Sequence, residues 1–237
     1  MLAVIGGSGL ARLPELSITD RRIVRTPYGL PSSPLLYGRL GSIDIVFLAR
    51  HGFNHTVAPH EINYRANIRA LADAGAEQII AVSSVTAVGG CFEAGALVMP
   101  HDLIDYTHSR AATFFEGEEQ AVVHTDFTRP YSDNLRQTLA GYAVSQNTQI
   151  CSEAVYGCIQ GPRLPTAAEM RRYRNDGVDV VGMTGMPEAV LARELGLEYA
   201  HLCGVTASDC FSSGRSASCD TDADLAVTKI RALLAGL

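Results

Sequence analysis

Residues 43–52, IDIVFLARHG, set the frame for the whole chain. Isoleucine, valine, phenylalanine, leucine and alanine follow one another here with little alternation. That continuity suits a β-strand covered on both faces. The run then stops at Arg50-His51-Gly52, with His55 just beyond. Two potential cations thus leave the end of a buried strand, where open α/β sheets hold their ligands. A guanidinium fork matches the oxygens of a phosphate. A salt-bridged Arg at the rim and a core His are the plainer alternative.

Similar short apolar runs recur at 2–5, 78–84, 96–99, 153–159, 178–183 and 199–205. Helical patterns lie between them at 60–75, 132–145, 165–177, 186–196 and 222–236. Gly75 reads as the residue that ends the first helix, Ser132 as the N-cap of the second, and Pro187 as an opening residue of the fourth. Strand–helix alternation predicts one three-layer α/β domain over 1–237. Long loops are expected at 25–37, 107–121 and 207–221, and such loops are where function concentrates.

The segment VIGGSGL (4–10) places a glycine turn at the end of the first strand. A phosphate loop of the NTPase kind needs Lys and Ser/Thr after its last glycine, whereas Leu10, Ala11 and Arg12 follow Gly9. The dinucleotide fingerprint needs glycine at 12, and a serine-hydrolase elbow needs it at 10. What remains is a turn that reverses the chain or offers Ser8 to an oxyanion. The strand at 78–84 ends in Ser83-Ser84, which adds hydroxyls at an equivalent place. Ser8, Arg50, His51 and Ser83 together would make a phosphate cradle without a metal or a Walker lysine.

The chain has 237 residues, 19 basic and 25 acidic, a formal charge of −6 and 47% hydrophobic content. These values predict a folded globular protein, and with no basic run nucleic acid is not an expected partner. No apolar run approaches the ~18 residues of a membrane span. Without a signal-peptide pattern the chain reads as cytoplasmic, and its six cysteines (91, 151, 158, 203, 210, 219) as thiols lacking metal-site spacing.

Five ordered stretches carry a resemblance: VIGGSGL, TPYGLPSSP, FLARHGFNHTVAPHEINYRANIRAL, IQGPRLPTAAEMR and VVGMTGMPEAVLARELGLEYA. They resemble the trimeric purine nucleoside phosphorylases, most of all the branch acting on 5′-methylthio nucleosides, the methylthioadenosine and methylthioinosine phosphorylases. The similarity runs from residue 2 to about 206. It implies a three-layer mixed β-sheet flanked by helices and a homotrimer whose sites borrow residues from a neighbouring subunit, with inorganic phosphate as co-substrate and no cofactor or metal. Ser8, Arg50, His51, Ser83 and Thr184 match phosphate-binding positions. By the same resemblance Ser84 is expected to line the site, Met183 to contact the ribose, Leu164 to cover the purine face and His55 to lie nearby. His124 matches the histidine that a neighbour inserts near the 5′ substituent.

The family's purine-recognition segment, T-D-x-D, reads Thr206-Ala207-Ser208-Asp209 here, without its first carboxylate. Asp209 is then expected to face the base and, with Arg50, to carry catalysis. The stretch SSVTAVGG departs from the family at Thr86-Ala87, and 210–237 aligns poorly. The resemblance implies phosphorolysis of 5′-methylthioadenosine to adenine and 5-methylthioribose 1-phosphate. The alternative is the 6-oxopurine nucleoside 5′-methylthioinosine. A hydrolase and a non-catalytic purine-nucleoside binder are the competing classes, the second motivated by Ala207.

Overall fold

The computed structural model describes residues 1–117, 121–208 and 225–237 in full, and the backbone alone at 209, 216–218 and 220–224. A single mixed sheet runs through it. Its path is β2 (Ser17–Arg22), β3 (Leu35–Leu40), β4 (Ile43–Ala49), β1 (Leu2–Gly6), β5 (Gln78–Ala87), β9 (Val180–Gly182), β8 (Val155–Cys158) and β7 (Asp102–Asp105). The long strand β10 (Glu198–Asp209) pairs with β5, β6 (Leu97–Val98) and β11 (Ser216–Ser218).

Strand β5 is the spine. Its first half pairs in parallel with β1, its whole length in parallel with β10, and its last two residues antiparallel with β9. Alternate side chains enter opposite cores, which is why the sequence reads as unbroken apolar runs. Ala3, Ile5, Val46, Leu48, Ile79 and Ala81 join one cluster, which α1 (Tyr64–Asp73) and α4 (Gly185–Glu194) cover. Val4, Ile45, Phe47, Ile80 and Val82 join the other, beneath α2 (Asp133–Ser145) and α5 (Asp220–Ala235). A smaller cluster seats α3 (Ala167–Asn175) on β8 and β9 through Met170, Tyr173, Val178 and Val181. The expected mixed sheet between helical layers is therefore present.

The end signals expected from the sequence operate. Ser132 accepts from the Leu135 amide at 3.2 Å, and Gly75 follows α1 with φ +83°. Met186 is extended (φ −117°, ψ 138°), so the regular turns of α4 begin at Pro187. Two expected loops hold strand instead. Residues 25–37 include the start of β3, and 207–221 include the end of β10 and all of β11. β11 is short and without an apolar pattern, and pairing with β10, rather than its own pattern, makes it a strand. The rest of the first loop docks on α1: the Ser32 amide donates to Asn67 Oδ1 at 2.8 Å, and Asn67 Nδ2 donates back to the Ser32 hydroxyl at 3.0 Å.

Candidate active site

A cleft of about 470 Å³ opens where β1, β4, β5, β9 and β10 end. Its lining contains Ser8, Arg50, His51, His55, Ser83, Ser84, Leu164, Met183, Thr184 and Thr206. Segments up to 198 residues apart in the sequence thus meet, as the motif positions require. Of the sequence-based candidates, His124 does not line the cleft of its own chain and lies exposed. Asp209 lies outside the fully described residues; its backbone pairs with Ser216.

Arg50 is completely buried. Nε donates to Glu188 Oε1 at 2.8 Å, Nη2 to Oε2 at 2.7 Å, and Nη1 to the Val82 carbonyl at 2.7 Å and Ser83 Oγ at 3.3 Å. This corrects the sequence-based picture of a free fork. Four of its five N–H groups are occupied, so one remains for a ligand. Burial alone would lower the Arg50 pKa, but the Glu188 carboxylate outweighs it and holds the guanidinium charged. Glu188 is itself fully buried and also accepts from Tyr199 at 2.9 Å.

His51 is not the second cation that its place beside Arg50 suggested. Burial, then the Arg50 charge, lowers its pKa to about 4, so the ring is neutral at neutral pH. Nδ1 lies 2.8 Å from the Val57 carbonyl, which can only accept. The ring proton therefore sits on Nδ1, and Nε2 presents a bare lone pair. Its ring packs 4.5 Å, centroid to centroid, from that of His55, which has a positive φ of 53°.

Ser83 sits at the centre of a polar knot. Its Oγ is 3.0 Å from Thr184 Oγ1 and 2.8 Å from Nε2 of His201, a fully buried residue behind the cleft wall. Ser84 donates to the Ser8 carbonyl at 3.4 Å, closing the VIGGSGL turn over the end of β5. Close packing rather than a ligand explains that turn's first glycines. A Cβ on Gly7 would stand 2.4 Å from the Val82 carbonyl and 2.7 Å from Arg50 Nη1.

The other end of the cleft is looser. Leu164 is 75% exposed at the rim, and Met183 is half-buried. Thr206, in the cleft wall, donates to the Val85 carbonyl at 3.3 Å. Ala207 is buried in β10 and brings no polar group there.

Sequence reasoning passed over three polar residues. Glu188 stands inside the apolar run GMPEAVLA, and a carboxylate so placed must meet a cation. His201 interrupts the apolar strand YAHLCGV in the same way. Arg110 carried no such signal; it donates to the carbonyls of Met183 (2.9 Å), Met186 (2.5 Å) and Gln160 (2.7 Å), joining the two loops that frame the cleft mouth.

Known proteins place this architecture. Residues 1–237 match the phosphorylase superfamily. A relative from Pseudomonas syringae pv. tomato, named probable S-methyl-5′-thioinosine phosphorylase, is 48% identical over 84% of this chain and 81% of its own. The 6-oxopurine nucleoside phosphorylase of Pyrococcus furiosus is 43% identical over 86% of this chain and 78% of its own. The solved structure of methylthioadenosine phosphorylase from Schistosoma mansoni with adenine superposes with a TM-score of 0.92, at 30% identity, over 99% of this chain and 89% of that one. With the sheet, the cleft and these relatives in agreement, the chain is an enzyme of the phosphorylase superfamily.

Proposed function

We propose that the protein uses inorganic phosphate to cleave the glycosidic bond of a 5′-methylthio purine nucleoside. One observation carries this reading: Ser8, Arg50, His51, Ser83 and Thr184 line the same cleft as Met183, Leu164 and Thr206. The first group suits a tetrahedral anion and the second a ribose and a flat base. A phosphate oxygen forms a bond to C1′ as the C1′–N9 bond breaks, and the base departs with that electron pair and takes up a proton. Positive charge grows on the ribose, so an anion held below the ring is both nucleophile and counter-charge. Neutral His51, with Nε2 bare, accepts from a protonated phosphate oxygen or a ribose hydroxyl rather than donating. No cofactor is needed.

The two base readings both fit the relatives. The relatives from Pseudomonas syringae and Xanthomonas campestris, 48% and 47% identical, are named for thioinosine, which puts the 6-oxo nucleoside first. The structural neighbours named for methylthioadenosine, and an Asp at 209, support the 6-amino nucleoside. A carboxylate accepts from a 6-amino group and repels a 6-oxo group, so Asp209→Asn would shift preference toward methylthioinosine if Asp209 faces that edge. The test is base release, with and without phosphate, from methylthioinosine, methylthioadenosine, inosine and adenosine. Release without phosphate would mean a hydrolase, and tight binding without release a binding protein. The reading includes a cytoplasmic homotrimer, in which His124 of one subunit completes the site of the next. Sedimentation at assay concentration tests the assembly, and a fully active monomer would refute it.

A further inference from the structure

We propose that His201, which does not line the cleft, is a positioning residue that aims the Ser83–Thr184 hydroxyl proton at the bound phosphate. The inference rests on the phosphorolysis reading and follows from counting protons around one oxygen. Ser83 Oγ has one proton and two lone pairs. Both hydrogens of Arg50 Nη1 are occupied, one on the Val82 carbonyl and one on Ser83 Oγ, so one lone pair is filled by a group that can only donate. Thr184 Oγ1 and His201 Nε2, at 3.0 and 2.8 Å, compete for the other lone pair and the proton.

His201 is neutral: burial, then the Arg50 charge, lowers its pKa to about 3. It therefore brings a single ring proton, and where that proton sits decides what the cleft offers. With the proton on Nδ1, Nε2 takes the Ser83 proton. Thr184 must then donate to Ser83, which leaves Ser83 saturated and Thr184 turning only lone pairs toward the ligand. An anion would be repelled. With the proton on Nε2, His201 fills the second lone pair of Ser83. The Ser83 proton then points to the ligand, or to Thr184, whose own proton goes to the ligand. An anion gains a donor either way.

The surroundings favour the second arrangement. Nδ1 of His201 has no hydrogen-bond partner. It lies beside Gly185, where a Cβ would approach within 3.3 Å, and the ring packs 4.7 Å from that of Tyr156. An orphaned buried N–H is rarer than an orphaned acceptor, so the bare lone pair belongs on Nδ1. Among the described residues the groups facing the ring are the Arg50 cation and Tyr131, Tyr156 and Tyr199, and no carboxylate among them touches it to draw the proton to Nδ1.

Phosphate dependence of the wild-type enzyme is measured first, because base release without phosphate would remove the underlying reading and this proposal with it. His201→Leu, which has no donor, should then raise KM for phosphate by about ten- to a hundredfold, the range for a lost hydrogen bond to a charged ligand. KM for the nucleoside should barely move. His201→Gln, which can donate to Ser83, should recover most of the loss. In a Ser83→Ala background His201→Leu should add little. Should His201→Leu fail to fold, the ¹⁵N NMR signature of His201 in the wild-type protein decides, with a protonated Nε2 and bare Nδ1 expected. A protonated Nδ1, an unchanged phosphate KM, or an equal rise in both KM values would overturn the proposal.

Discussion

The two ends of the cleft are built in opposite ways. At the sheet end, Arg50, Glu188, Ser83, Thr184 and His201 are buried and bonded to one another. At the mouth, Leu164 is largely exposed and Thr206 makes one long hydrogen bond to a carbonyl. The first end is finished within the chain, since each of these side chains is held by a neighbour before a ligand arrives. The second has walls but few anchors. A site that must hold phosphate in one geometry gains from rigidity. Nucleoside recognition is left to the rim and, on our reading, to a neighbouring subunit.

The harshest way to break the contrast is to empty the sheet end of one charge. Glu188→Ala leaves a buried guanidinium without its carboxylate and should lower stability by about 3–5 kcal/mol in urea unfolding. Arg50→Ala strands Glu188 in the same way, so its phosphate KM has to be read beside its unfolding curve. A drop under 1 kcal/mol for Glu188→Ala would mean that water reaches the pair.

Gly7→Ala comes next. Its methyl group would meet the Val82 carbonyl and the Arg50 side chain, and overpacking of this kind typically costs about 1–3 kcal/mol. A smaller loss, with phosphate KM unchanged, would show that the turn can move away from Arg50.

Acid should also weaken the sheet end. His51 and His201 have folded pKa values lowered to about 4 and about 3, below the 6.5 of an unfolded histidine. Below that value the unfolded chain binds protons that the folded one refuses, so stability is full above 6.5 and declines as pH falls toward 4. Melting temperatures from pH 7.5 to 4.5 should fall, and His201→Gln should flatten the slope. An unaltered slope in that variant would put the acid sensitivity elsewhere.

The smallest effect is expected at the mouth. His124→Ala should leave stability alone and raise the nucleoside KM about fivefold, as for one lost hydrogen bond or ring contact. No change in KM would remove His124 from the site and sharpen the contrast, leaving the mouth to this chain alone.

How much of this could be read in advance follows the same division. The buried strands were legible because two covered faces leave unbroken apolar runs, and their ends located Arg50, His51 and Ser83. The edge strands β2 and β11 were not, because SITDRR is exposed at every position and SAS has no apolar pattern. Side-chain identity located Arg50 but could not show that its fork is turned to Glu188, 138 residues away. The charge state of His51 was equally hidden, since it depends on burial that only tertiary packing creates. The resemblance supplied Leu164 and Met183, whose residue types carry no chemical signal of their own.

The Arg50–Glu188 pair has one more consequence, for ionic strength. Arg50 is the only Lys or Arg among the described lining residues, and its charge is already matched by a carboxylate 2.7 Å away. The cradle therefore meets its anion with almost no net charge, through N–H and O–H dipoles fixed in direction. Attraction of that kind acts at contact and is little screened by dissolved salt. Phosphate affinity should stay nearly level as potassium chloride is raised. Arsenate and sulfate should compete according to how well their oxygens fit the donors, not according to their charge.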